Sequence, residues 1–366
     1  MTGVAERLDG MRVCIVAGSG GVGKTTASAA LALGLAASGK RVAVVTIDPA
    51  RRLAESLGLE ELGNDPRRVD PALLEGHGIE VRGELWAMML DPKATFDDLI
   101  TRLSPDDQTR EEVLGNRIYK QLSSAVAGSQ EFTAVAKLYD LHNDSRFDVL
   151  VLDTPPSRNA LDFLDAPDRL TDFFEGRALK VLLVPTGIAA RVMARGTSVV
   201  FSILKRLTGV DLMDDMALFF RSLSGLMDGF KERAAGVKAL LADDATTFFI
   251  VTSPEREPVA EAIFFRGKLR DAGMAFGGLV VNRVNVADDV DPDSVGDELR
   301  AAGLDEELAA KVAQSAADQQ RLASRDAEQI ERLKAELDEP DPIVVPRLDG
   351  EIQDIDGLVA LYDALK

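Results

Sequence analysis

Cysteine is nearly missing from this chain of 366 residues: Cys14 is the only one. No intrachain disulfide can form, and a reducing compartment fits. Histidine is almost as scarce, and neither His77 nor His142 sits in a metal-ligand spacing. No apolar run approaches the roughly 20 residues of a membrane-spanning helix. The start, MTGVAERLDGMRV, lacks the apolar centre of a signal peptide. A cytoplasmic chain is expected, one that does not insert into membranes directly. Basic charge is also short, 42 Lys and Arg against 61 Asp and Glu, for a net −19. Such a surface repels nucleic acid and anionic lipid, so no nucleic-acid partner is expected. The longest basic pairings, Arg51–Arg52 and Arg67–Arg68, are too short to reverse that.

What is present is a chain that is 46% apolar and long enough for a large core. Six segments are near-continuously apolar and β-branched, as strands buried on both faces must be. They are Arg12–Ala17, Arg41–Ile47, Phe147–Leu152, Thr247–Thr252, Gly278–Val281 and Ile343–Val345, with a weaker seventh at Glu84–Leu90. Helical segments fit between most of them, clearest at Thr25–Ser38, which is Ala- and Leu-rich and stopped by Gly39. Gly34 inside that helix points to close packing onto the sheet. The alternation predicts an α/β fold, a doubly wound and mostly parallel sheet with helices on both faces. Two stretches without strand signal, about 92–145 and 159–244, predict an inserted helical subdomain. The remainder, about 10–91, 146–158 and 245–366, forms the nucleotide-binding core of a single domain spanning 1–366. Leu304–Leu337 reads as a charged, Ala-rich helix.

Gly18, Ser19, Gly20, Gly21, Val22, Gly23, Lys24 and Thr25 fit the phosphate-loop pattern G-x-x-x-x-G-K-[ST], after a strand and opening a helix. Glycines let backbone N–H groups turn inward on an anion, and the helix N-terminus adds its dipole. Lys24 would reach the β- and γ-phosphates, Thr25 would ligate Mg²⁺, and Thr26 could touch the α-phosphate. ATP and Mg²⁺ are the ligands this implies. Two more strands end in acids followed by proline, Asp48-Pro49 and Asp153-Thr154-Pro155. An acid there can hold Mg²⁺ or orient water, although a lone strand-end Asp is often only a cap or turn former. Asn282 follows another strand and either reads an adenine edge or caps its own turn.

The segments GSGGVGKTT, TIDPA, DTPPSRNALDFL, VVNR and VPRLDGEIQDIDGL, in this order, resemble the ArsA-type ATPases. That family includes the arsenical-pump ATPase and the factor that targets tail-anchored membrane proteins. The resemblance, to a bacterial member, covers nearly the whole chain. It implies a P-loop NTPase that hydrolyses ATP and acts on a partner or client through nucleotide-driven rearrangement of a dimer. It places Asp48 at the switch I aspartate that positions water and Asp153 at the switch II aspartate near Mg²⁺. It likewise places Asn282 at the adenine-reading asparagine, and Pro346 and Leu348 in the adenine loop.

Two departures qualify that picture. The family's loop usually carries a lysine, reaching across the dimer, where this chain has Ser19. A hydroxyl cannot replace an ammonium at a phosphate. The chain is therefore either a homodimeric ATPase or a weakly hydrolysing regulatory subunit, paired in a heterodimer with a lysine-bearing paralogous ATPase subunit. Arg51 and Arg52 stand where the family more often has His and Ser; either supplies the charge or is merely solvated or carboxylate-paired. The other departure is that Cys14 lies in an apolar strand, so thiolate binding of arsenite and structural zinc are not expected. In the insert, Met193, Met213, Met216 and Met227 suit either a groove for a protein client or plain core packing.

Overall fold

The computed structural model describes residues 4–48, 51–117, 119–120, 130–154, 219, 222, 225–287, 291, 294–348 and 354–365. Their strands are β1 (Val13–Ala17), β2 (Arg41–Thr46), β3 (Arg67–Arg68), β4 (Glu84–Met89), β5 (Val149–Asp153), β6 (Thr246–Thr252), β7 (Phe276–Val284) and β8 (Ile343–Pro346). They form one sheet in the order β3-β4-β2-β5-β1-β6-β7-β8. Every neighbouring pair is parallel except β3–β4. The apolar strands β1, β5 and β6 are buried at every position, which is why their sequences run apolar rather than alternating. β3 carries too little pattern to be read from sequence. Its arginines lie opposite Ala87 and Trp86 at the sheet edge, and Arg68 pairs with Glu84 at 3.0 Å. Charge on an edge strand discourages pairing with another chain.

The helices of the described residues begin with α1 (Val4–Arg7), α2 (Lys24–Ala37), α3 (Arg52–Ser56) and α4 (Pro71–Glu75). α2 is buried through nearly its whole length. One side meets the face of the sheet that bears Cys14, Val16, Phe249 and Val251. A further helix, Ile355–Ala364, packs on α2, and a Cβ at Gly34 would lie 3.0 Å from Tyr362 in it. Gly34 therefore makes room for that helix and not, as expected, for the sheet. The opposite face of the sheet is covered too. Phe248, adjacent to Phe249 and so pointing the other way, meets Phe265 of helix Arg256–Asp271 with ring centroids 6.3 Å apart. The fold is α/β, doubly wound around a mostly parallel sheet.

The chain divides into two compact units, one drawn from Met1–Met89, Asp144–Leu161 and Ala242–Lys366, the other from Leu90–Asn143 and Asp162–Leu241. The second contains α5 (Pro92–Leu103), α6 (Asp107–Gly115), α7 (Gln130–His142) and α8 (Met227–Leu241), with no strand among its described residues. Acids start its helices: Asp91 accepts from the Ala94 N–H at 2.9 Å and Asp106 from the Thr109 N–H at 2.7 Å. Its core is aromatic, with Phe96 stacked between Tyr119 and Phe230 at 6.3 and 5.9 Å. Met227 packs against that core, whereas Met193, Met213 and Met216 lie outside the described residues. In the first unit follow α9 (Arg256–Asp271), α10 (Val295–Ala301), α11 (Glu306–Leu337) and α12 (Ile355–Ala364). Among the described residues no helix is long and apolar enough to cross a membrane.

Candidate functional site

Parallel strands present their carboxyl ends on one edge of the sheet, and that edge collects most of the residues singled out in the sequence. β1 is central. Val16 lies level with Asp153 of β5, and Asp153 lies level with Thr46 of β2. Three strand ends are thus brought into register beside the loop that leaves β1.

That loop is shaped by close approach. Gly18 has φ 153°, and a Cβ there would lie 2.0 Å from the Val251 carbonyl oxygen of β6, so only glycine lets the chain leave β1 along this path. Gly23, at φ 94°, starts α2 from the left-handed region, and a Cβ on it would meet Asn282 Nδ2 at 2.4 Å. Asn282 in turn donates from Nδ2 to the Val22 carbonyl at 2.9 Å, while its Oδ1 accepts the Arg283 N–H at 2.9 Å. The structure therefore gives Asn282 a definite task, bracing the glycine loop. It lies inside β7, which runs on to Val284, rather than beyond a strand end as expected. Pairing with β8 shifts at this point, and Val284 comes level with Pro346. Arg347 donates its N–H to the Val284 carbonyl at 2.9 Å, so Pro346 ends the strand next to β7, and Leu348 follows two residues later.

Lys24 is 6% exposed and donates to the Ser19 carbonyl at 2.8 Å. Burial lowers its pKa, while Asp153, Asp48 and Glu261 act to raise it and Arg52 to lower it further. Thr25 and Thr46 both donate their hydroxyls to Asp153 Oδ2, each at 2.7 Å. The other oxygen, Oδ1, is buried without a hydrogen-bond partner. Burial pushes the Asp153 carboxyl up to about 6; the hydroxyls of Thr25 and Thr46 and the charge of Lys24 hold it from rising further, and Asp48 adds to the rise. Thr46 Oγ1 also accepts the Asp48 N–H at 3.1 Å, tying the two acidic segments together. Beyond Asp48, Arg51 adopts φ 53° at the start of α3, and Arg52 pairs with Asp48 at 3.7 Å. Thr154 donates its hydroxyl to the Val16 carbonyl at 2.8 Å, fixing the chain after Asp153 against β1.

Lys24, Thr25, Asp48 and Asp153 are thus assembled at one place, with Asn282 behind the loop. Thr46 and Thr154 were missed as contributors. Both stand within the segments TIDPA and DTPPS, but a threonine in a β-branched strand carries no signal that separates a polar task from strand packing. Among the described residues no group of three or more His, Cys, Asp and Glu could hold a metal by itself. The donor set of Thr25 and Asp153, with one carboxylate oxygen unpartnered, suits a hard cation that keeps waters and phosphate oxygens as its other ligands, as Mg²⁺ does.

The family model described as anion-transporting ATPase matches residues 11–302. The chain is 28% identical over 263 residues to a protein of Aquifex aeolicus named as an arsenical pump-driving ATPase, a match covering 69% of this chain and 58% of that one. It is 32% identical over 160 residues to ATPase get3 of Aspergillus terreus, covering 43% of each chain. With ATPase ARSA1 of Chlamydomonas reinhardtii it shares 28% identity over 317 residues, 77% of this chain and 37% of that protein. The chain thus spans between about a third and three fifths of the length of these relatives. With a phosphate loop, two strand-end aspartates and the family match over most of its length, the chain belongs to the ArsA family of anion-transporting ATPases.

Proposed function

We propose that this chain binds Mg·ATP at the β1–α2 loop and hydrolyses it to ADP and phosphate. The observation that carries the reading is the junction at Asp153. Two hydroxyls from separate strands and helices, Thr25 and Thr46, converge on one carboxylate oxygen, while the other is buried and unpartnered beside Lys24. A structural carboxylate would have both oxygens satisfied. In this reading the backbone of Gly18, Ser19, Gly20, Gly21, Val22 and Gly23 cradles the phosphates, and Thr26 contacts the α-phosphate. Lys24 exchanges the Ser19 carbonyl for the β- and γ-phosphates. Thr25 and Asp153 hold Mg²⁺, which when bound neutralises phosphate charge. Asp48 orients the attacking water. Asn282 braces the loop and, with Pro346 and Leu348, borders the adenine.

The relatives' names supply ATP hydrolysis, and the two compact units support one ATPase domain with a core at about 10–91, 146–158 and 245–366 and a helical insert at about 92–145 and 159–244. In this reading the ATP cycle rearranges a cytoplasmic dimer, and the insert engages a protein client. Ser19 favours a second arrangement. With no side-chain cation at that position, the chain serves as an ATP-binding regulatory subunit of weak turnover, paired with a paralogue that retains the lysine.

The test is ATP turnover by the purified chain, with mass followed by light scattering in ATP, ADP and no nucleotide. Lys24→Ala and Asp48→Asn serve as controls. Turnover lost in both variants, with ATP binding kept in Asp48→Asn, supports hydrolysis by this site. Tight binding with little turnover, restored on adding a lysine-bearing paralogue, supports the second arrangement. A chain that binds no ATP overturns both.

A further inference from the structure

The charges around Lys24 do not balance. Asp48, Asp153 and Glu261 all act on it, and the other cation whose field reaches it among the described residues is Arg52. A triphosphate adds further negative charge to a place where carboxylates already outnumber cations.

Arg52 is held in a way that allows it to leave. Its side chain is 65% exposed and touches Asp48 Oδ2 through one nitrogen at 3.7 Å, while the Asp48 side chain is 18% exposed. An exposed pair of such length is worth little. A guanidinium offered a phosphate gains short, charge-assisted and often paired hydrogen bonds instead. The backbone just before it is strained: Arg51 takes φ 53°, in the left-handed region where a long side chain is unusual. Strain of this kind gathers at segments that switch.

We propose that Arg52 is a mobile catalytic cation that covers Asp48 in the nucleotide-free protein and moves to the γ-phosphate when ATP binds. The move does two things at once. It brings a second side-chain cation to the phosphoryl group, and it takes the Arg52 contact off the Asp48 carboxylate. ADP, which has no γ-phosphate, leaves Arg52 on Asp48, so the site distinguishes the two nucleotides before chemistry begins. The inference rests on the ATPase reading above and adds a residue that reading does not use.

The experiment compares the full chain with its Arg52→Ala and Arg52→Lys variants, measuring turnover and the separate affinities for Mg·ATP and Mg·ADP. Loss of a cation from a phosphoryl-transfer site lowers kcat by about 10²-fold or more. Arg52→Ala should show that loss, with ATP affinity reduced about tenfold or more and ADP affinity kept within about fivefold, the most an exposed pair is worth. Arg52→Lys, which keeps charge but not the planar fork, should fall between. Melting curves on the same samples check folding, and Arg52→Lys carries the test if Arg52→Ala melts early. Wild-type-like turnover and an unchanged ATP-to-ADP preference in both variants would overturn the proposal while leaving the ATPase reading intact. Equal loss of turnover in both with that preference unchanged also overturns it, leaving Arg52 as mere support for Asp48. If the unaltered chain binds no ATP, as Lys24→Ala should not, the ATPase reading itself fails and the role of Arg52 falls with it.

Discussion

At the scale of single residues, Asp153 carries the plainest pH signature. Its carboxyl is pushed up to about 6 by burial, above the ordinary carboxylate value near 3.9. The folded nucleotide-free protein therefore binds a proton between about pH 4 and 6 that the unfolded chain does not. Above pH 6 the buried charge costs the fold about 3 kcal/mol, and that cost is relieved as pH falls through 6 towards 4. Asp153→Asn should accordingly raise the stability of the nucleotide-free protein at pH 8, and the gain should shrink towards pH 4.5. Chemical denaturation across that range reads it directly. The same substitution should abolish Mg²⁺-dependent turnover. Gly18 gives a second residue-scale test. The Cβ of Gly18→Ala lands 2.0 Å from the Val251 carbonyl, backbone that cannot step aside cheaply. A loss of about 3 kcal/mol or more in urea denaturation is expected, together with loss of ATP binding. Neither contact is visible in the linear sequence. The phosphate-loop pattern marks Gly18, but the carbonyl it nearly touches is more than two hundred residues away.

At the scale of elements, the long helix α11 is tied to the residue that follows β7 through a buried carboxylate. Asp326 is fully buried and accepts both the backbone N–H and the side-chain amide of Asn285 on Oδ2, at 2.9 and 2.7 Å. Arg325 donates to Oδ1 at 2.8 Å. Since Asn285 follows Asn282 by three residues, α11 steadies the strand that braces the phosphate loop. Asp326→Ala would take the acceptor from both half-buried Asn285 donors and should cost about 1–2 kcal/mol of stability, measured in urea. The same variant should raise the KM for ATP more than it lowers kcat, because it loosens the loop and leaves the reacting groups in place. The helix itself was legible from its Ala-rich, charged composition between Leu304 and Leu337. Asp326 was not, because on such a helix one acid among many reads as solvated surface. The six apolar strands were legible for the opposite reason, since burial on both faces removes polar positions. The two-residue β3 offered no pattern, and Gly34 announced close packing without naming Tyr362 as the neighbour.

For the whole molecule, ligand linkage ties site to fold. If ATP binds the folded chain alone, saturation at about 100 times Kd stabilises it by about 2.7 kcal/mol. Thermal melting with Mg·ATP should show that shift, and Lys24→Ala should lose it. The strong net negative charge makes a further expectation: binding to duplex DNA at physiological salt should be undetectable by gel shift.

The sequence by itself determined the α/β class, the mostly parallel sheet and the phosphate loop. Each rests on a local pattern, whether the apolar character of a buried strand or glycines and a lysine at set spacing, and a local pattern survives in one dimension. Only the tertiary structure decided the partners of those residues. It set Thr25 and Thr46 on the same oxygen of Asp153, Asn282 under the Val22 carbonyl, and Arg52 against Asp48. The first three of these contacts depend on strand order and register, which place segments far apart in the chain side by side; the Arg52 contact, though local, depends on how the chain turns after β2, which no spacing in the sequence records.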